Sequence, residues 1–216
     1  MYRSTMGGRK ISIVRRVRRV LAERGAVLAG GSGLALRLGH RRSADLDFFT
    51  ASSFDTTMLA YDLSAAAGQV NVISEADSVL LAEVDGVKLS LFRHPYPFVD
   101  EVSAFEGIHV AGTLDIASMK IIAICQRGTK RDFFDLHAVL EKIPFHAVAT
   151  NAVRRFGPER LNPVHMGKSL VYFADAEPAA DPARTTRGRV EWIAVKRFYT
   201  GHARQFVLDL DAARRE

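Results

Sequence analysis

The sequence predicts an α/β fold of the α+β kind, a mixed β-sheet with flanking helices and a helical C-terminal region. Three stretches carry that prediction. Val27 to Thr50 reads as strand, glycine turn, helix, basic loop and second strand. Val70 to Phe92 holds three β-type runs spaced as an antiparallel meander, and the chain beyond Pro144 reads as helices.

The elements follow in order. Residues 1 to 10 read as a loose tail. From Ile11 to about Arg24, Val14, Val17 and Leu21 recur at helical spacing, while Arg15, Arg16, Arg18 and Arg19 cover the other faces. Those arginines are either an electrostatic collar for a nucleic acid or a solvated amphipathic face. Phe54 to Ala67 reads as a helix closed by Gly68; Val70–Ser74, Val79–Val84 and Val87–Phe92 follow as strands, with Asp85-Gly86 as a two-residue hairpin turn. His94-Pro95-Tyr96-Pro97 ends the last of these, since proline cannot donate to a ladder. A short strand, IHVAG, precedes two helices over Asp115–Arg127 and Lys130–Lys142. Three more helices are expected at 145–156, 162–174 and 190–214, with the proline-rich stretch 175–188 as a loop. The expected organisation is one sheet-containing domain, 1–142, and a helical region, 143–216, packed on it.

At 216 residues the chain is long enough for one sizeable domain with a helical extension. A net charge of +6 suits an anionic partner such as nucleotide or RNA. Cys125, the single cysteine, excludes an internal disulfide and reads as a small buried apolar residue in a reducing compartment. No stretch has the length and apolarity of a membrane span, and MYRSTMGGRK lacks the apolar core of a signal peptide, so no membrane is expected and the cytoplasm is the default.

Two half-sites emerge in Val27 to Thr50. Gly30, Gly31, Ser32 and Gly33 follow an apolar run and precede a helix, where backbone amides and the positive dipole end favour phosphate oxygens. Ser32 is placed both to cap that helix and to donate to a phosphate; a plain tight turn is the competing explanation. In Ala44-Asp45-Leu46-Asp47-Phe48, the two-residue strand period puts Asp45 and Asp47 on one face. Two adjacent carboxylates suit Mg²⁺ (or Mn²⁺), which binds through one or two carboxylates together with substrate phosphates. Further along, Lys120 and Arg127 share a helix face nearly two turns apart. Asp132 and Asp135 also share a side; they either orient Lys120, Arg131 or an incoming hydroxyl, or pair with the helix dipole. Lys88 is a further candidate for phosphate contact, or a solvent-facing strand residue.

GGSGLAL, then HRRSADLDFF, then DIASMKIIAICQRGTKRDFFDLHAVL resemble the nucleotidyltransferase-fold toxins of the AbiEii family, distant relatives of the DNA polymerase beta superfamily. The likeness spans about residues 25 to 142, with Asp115, Lys120, Arg131, Asp132 and Asp135 matching the later motifs in order. It implies a nucleoside triphosphate (NTP) substrate. It also implies Asp45 and Asp47 as metal-binding catalytic residues, Gly30, Gly31 and Ser32 on the phosphates, and Lys120 neutralising charge. Lys88 and Arg131 are nucleotide-binding candidates, and Asp132 completes the catalytic set. An RNA acceptor, such as a tRNA 3′ end, and an AbiEi-type antitoxin partner are implied as well. One departure stands out: the broader superfamily usually supplies a third acid from a neighbouring strand, and the expected position here is Ser90, a poor Mg²⁺ ligand.

Overall fold

In a computed structural model that describes residues 1–182 and 190–216, the alternation read from Asp45 to Thr50 is realised in the strand Leu46–Thr50. Leu46, Phe48 and Thr50 are buried, and Asp47 and Phe49 are half-exposed on the other face. The chain divides into two compact units, Met1–Gly112 and Thr113–Glu216. The boundary expected at 142 falls inside the second of these.

The first unit contains helix α1 (Gly8–Ala22), strand β1 (Val27–Leu28), helix α2 (Gly30–Leu38), strand β2 (Leu46–Thr50) and helix α3 (Thr56–Ala67). Strands β3 (Val70–Ala76), β4 (Val79–Val84), β5 (Val87–Arg93), β6 (Ser103–Phe105) and β7 (Ile108–Val110) complete it. The sheet runs β3-β4-β5-β2-β1-β7-β6 and is mixed: β2 lies parallel to β5 and β1 parallel to β7, and the remaining pairs are antiparallel. β4 and β5 meet at the expected turn, with Asp85 at φ 49° and Gly86 at φ 74°, the left-handed pair that a two-residue hairpin requires. Leu28, Phe48, Leu80, Leu89 and Leu91 from the sheet pack with Ile13, Val14, Val17 and Leu21 of α1 and Leu59 and Leu63 of α3 in one core. Burying side chains of this size stabilises by about 1.5–3 kcal/mol each.

The N-terminus corrects the sequence reading. Residues 1 to 10 are not a tail: Arg3–Thr5 form a 3-10 turn, the Tyr2 amide donates to the Leu36 carbonyl at 2.7 Å, and Met6 is buried. Arg15, Arg16 and Arg19 of α1 find acids of their own unit. Arg15 pairs with Glu106 at 2.7 Å, Arg3 joins it there, Arg16 reaches Asp85, and Arg19 pairs with Glu23 at 2.9 Å. Exposed pairs of this kind add little stability. They spend much of the charge that an RNA collar would use.

The second unit holds α4 (Thr113–Gln126), α5 (Lys130–Leu140), α6 (Phe145–Phe156), α7 (Pro163–Ser169) and α8 (Trp192–Ala213). α7 is shorter than expected and stops at Ser169. Part of the loop expected over 175–188 lies outside the described residues. Aromatic rings close the unit: Phe133 meets Tyr199 edge-on at 5.3 Å, and Phe145 meets Phe206 at 4.3 Å. Tyr199 and Phe206 of α8 are therefore core, Trp192 and Phe198 are half-buried beside them, and the Tyr199 hydroxyl donates to the Phe133 carbonyl at 3.0 Å. Among the described residues no helix is long and apolar enough to cross a membrane.

Phe48→Ala is expected to cost about 3–5 kcal/mol by denaturant unfolding, because its ring lies in the core, whereas Val72→Ala on the exposed edge strand β3 is expected to cost well under about 1 kcal/mol.

Candidate functional site

Strand pairing brings the two predicted half-sites together. β1 and β2 run antiparallel with Leu28 opposite Phe48, and the Ala29 amide donates to the Asp47 carbonyl at 3.0 Å. The chain leaving β1 thus stands beside the chain entering β2, and α2 is the excursion between them. β5 completes the row: Asp47 is in register with Ser90. The position expected to hold a third acid therefore carries a hydroxyl, 7% exposed, next to the D-x-D strand. Asp45, just ahead of β2, is half-exposed like Asp47.

The glycines lie inside α2 and not ahead of it. The first backbone bond of the helix runs from the Gly33 amide to Ala29 O at 2.8 Å, so the amides of Gly30, Gly31 and Ser32 have no acceptor within the helix. Gly30 has φ +56°, and a Cβ there would stand 2.7 Å from Asp47 Oδ2. At Gly31 a Cβ would run into the Arg41 guanidinium and stand 3.0 Å from Ser43 Oγ. What approaches this bare backbone, then, is the protein's own Asp47, Arg41 and Ser43. Ser32 also departs from expectation: it does not cap the helix, whose N-cap is Ala29, but is buried and donates from Oγ to the Asp45 carbonyl. That bond ties the first turn of α2 to the approach of the D-x-D strand.

Two basic residues at this turn escaped the sequence reading, which marks only a basic loop. Arg41 is buried, and Lys10 of α1 donates from Nζ to the Ser43 carbonyl. Burial lowers the pKa of the Lys10 ammonium; Asp45 opposes the shift, and Arg41 and Arg42 reinforce it. No sequence spacing links Lys10 to Ser43. Lys88 is exposed, opposite Glu83 across β5 and β4, on the same side of β5 as Ser90.

The donor set admits a divalent cation of the oxygen-binding kind only in part. Asp45 and Asp47 offer two hard carboxylates, but among the described residues no group of three or more His, Cys, Asp or Glu side chains is placed to hold a metal. Mg²⁺ fits such a site when substrate phosphates supply the remaining oxygens.

Within the second unit, Lys120 is 6% exposed and bound by two carboxylates, Asp132 at 2.8 Å and Asp135 at 2.7 Å. Thr129 Oγ1 donates to Asp132 at 2.7 Å, and Arg127 reaches the same carboxylate at 3.2 Å. Burial alone would discharge Lys120, yet Asp135 and Asp132 outweigh it and hold the ammonium above its ordinary pKa. Burial likewise opposes the Asp132 carboxylate, and Lys120, Thr129 and Arg127 together keep it below the usual carboxylate range. Asp132 and Asp135 thus both ion-pair with Lys120. Arg131 stands exposed in the first turn of α5. A second buried pair joins Asp115 to Arg155 at 3.5 Å, with Asn151 donating to Asp115 at 3.2 Å.

The comparisons with known proteins agree with this architecture. A candidate nucleotidyltransferase from H. pylori matches at a TM-score of 0.56 and 19% identity over 98% of both chains. JHP933 from Helicobacter pylori matches at 0.55 and 19%, covering 98% of this chain and 95% of the other. The nucleotidyltransferase toxin MenT4 from Mycobacterium tuberculosis H37Rv matches at 0.56 and 17%, covering 95% and 88%. At those identities the likeness defines the fold: this is a nucleotidyltransferase fold, of the form a toxin also adopts. No family model matches the chain. It belongs to the family of the uncharacterized protein aq_aa25 of Aquifex aeolicus (strain VF5), to which it is 36% identical over 156 residues, 69% of this chain and 74% of that one.

Lys120→Met leaves two buried carboxylates without their cation and is expected to cost about 3–5 kcal/mol. The pH slopes then reverse. In the wild type the folded Asp132 pKa lies below its unfolded value, so its contribution is present above about pH 4 and is lost as pH falls through the folded value. In Lys120→Met the stranded carboxylates bind protons more readily folded than unfolded, and acid should stabilise; unfolding curves at a series of pH values read both slopes. Separately, Gly30→Ala is expected to lower the melting temperature through its positive φ and its collision with Asp47, more than Gly8→Ala, where a Cβ meets nothing within 4 Å.

Proposed function

We propose that the chain is a divalent-cation-dependent nucleotidyltransferase, moving a nucleoside monophosphate from an NTP to an acceptor hydroxyl. The observation that carries the reading is the juxtaposition at the end of β1: first-turn amides with no helical acceptor, and the Asp47 carboxylate against Gly30. Amides and helix dipole bind phosphate oxygens, while Asp45 and Asp47 present oxygen ligands to the cation that accompanies a triphosphate. Mg²⁺ or Mn²⁺ held there supplies neutralisation of phosphate charge. Ser32, tied to the Asp45 carbonyl, fixes the spacing between amides and carboxylates. The acceptor oxygen bonds to the α-phosphorus as the bond to the bridging oxygen breaks; pyrophosphate leaves, and the hydroxyl proton passes to solvent. Positioning and charge stabilisation carry such a reaction.

The finer assignments follow from the AbiEii resemblance. They are a cytoplasmic toxin, an RNA acceptor such as a tRNA 3′ end, and an AbiEi-type antitoxin as partner. The resemblance gives Lys120 the neutralisation of phosphate charge, with Asp132 and Asp135 as its positioning residues; the burial of all three also supports a clamp that holds α4 to α5. Lys88 and Arg131, both exposed, remain nucleotide-contact candidates. A second reading, binding of nucleotide or RNA without transfer, is favoured by one observation, Ser90 in register with Asp47.

Incubating the protein with each α-³²P-labelled NTP, Mg²⁺ or Mn²⁺, and total tRNA is expected to label RNA, with Asp47→Ala lowering the rate about 100-fold or more. Labelling of small molecules or of the protein itself would move the acceptor assignment away from RNA. NTP binding by the wild type without any labelled product would establish the silent module.

A further inference from the structure

We propose that Arg41 grips the terminal phosphates of the bound triphosphate, an assignment that rests on the nucleotidyl-transfer reading. Arg41 lies in the loop between α2 and β2 and is 5% exposed. Its Nη2 occupies the space that a side chain at Gly31 would need, and its Nη1 donates to the Arg42 carbonyl at 3.0 Å. The guanidinium is therefore packed beside the second residue of α2, flank to flank with amides that have no acceptor in the helix.

That is a costly place for a cation. The helix N-terminus is itself the positive end of a dipole, and burial removes the water that would screen the charge. Asp47 stands over the adjacent Gly30, and Asp45 attracts the Lys10 ammonium, so carboxylates are at hand in the protein alone. Lys10 adds a second cation at the same loop through its bond to the Ser43 carbonyl. When a divalent cation takes up the two carboxylates, their charge is cancelled and Arg41 and Lys10 are left facing a helix terminus of their own sign. A polyphosphate restores the balance, and a guanidinium offers it paired donors in the planar fork that phosphate oxygens match. Gly31 is part of the same arrangement, because any side chain there would collide with the guanidinium.

The test is calorimetric binding of inorganic tripolyphosphate and of the four NTPs, in Mg²⁺, to the full-length wild type, Arg41→Ala, Arg41→Gln and Arg41→Lys, each checked by thermal unfolding. Arg41→Ala and Arg41→Gln are expected to lose about 10- to 100-fold in affinity for tripolyphosphate and for every NTP the wild type binds, with Arg41→Lys between them and the wild type. Folded variants that bind tripolyphosphate and NTP within about twofold of the wild type would overturn the assignment and leave nucleotidyl transfer standing. An equal loss in all three variants, Lys included, would also overturn it, as packing and not the cation would then matter. A wild type that binds no triphosphate would overturn the nucleotidyl-transfer reading and this assignment with it.

Discussion

The hydrogen bond from the Ala29 amide to the Asp47 carbonyl, 3.0 Å long, extends the pairing of a strand only two residues long, and the candidate site is built around it. β1 is flanked on both sides, antiparallel to β2 and parallel to β7, so it cannot slip without breaking two ladders. A slip of one residue would also turn Leu28 out of the core and Asp47 away from Gly30. Arg37 reinforces the position of α2: its Nε donates to Ala111 O at 3.0 Å and its Nη2 to Glu101 O at 2.7 Å. The amides of the first turn and Asp47 are thus held by the sheet, and Asp45 stands at the end of the loop that enters β2.

The two units use buried charge differently. In the second, Lys120 has two carboxylate partners, and Asp132 has in addition a hydroxyl and a guanidinium. Arg155, whose pKa burial pushes down against the pull of Asp115, is likewise enclosed, its guanidinium donating to the Asp115 carbonyl at 2.7 Å. Such clusters are satisfied where they stand, and they set how helices lie on one another. At the glycine turn the carboxylates are only half-buried, so charge there stays open to exchange with ions from solvent. A buried charge is weak evidence for catalysis when its partners are complete, so the phosphate role proposed for Lys120 rests on the resemblance and not on its burial.

Much of the first unit was legible because its rules are local. A two-residue period assigns the face of Asp45 and Asp47, and an Asp-Gly pair forces the β4–β5 turn; the parallel pairing of β5 with β2 that sets Ser90 beside Asp47 is not local, and the superfamily pattern pointed to it. The spacing of Asp132 and Asp135 gives a shared helix side but not what lies opposite, and Lys120 was only one of the partners it allowed. Arg41 and Lys10 were illegible for a plainer reason: the conformation of a loop and the packing of α1 decide where they end, and neither has a sequence period. Composition misled at residues 1 to 10, where glycines and charges suggest a tail; Tyr2 and Met6 are held by contacts with residues far along the chain.

Ser90 is where the site departs furthest from the superfamily pattern, and its consequence follows from charge alone. A third carboxylate beside Asp47 would add repulsion that only a tightly held cation could relieve, so such a site would bind metal before nucleotide. With a neutral hydroxyl in that register the repulsion is between Asp45 and Asp47 only, and the Lys10 ammonium near Asp45 tempers it. On the proposed reading, nucleotide and cation would each favour the other, the phosphates completing the coordination that the two carboxylates begin. Under that proposal Ser90 would change the order in which the site fills, and Arg41 would be what the incoming phosphates meet.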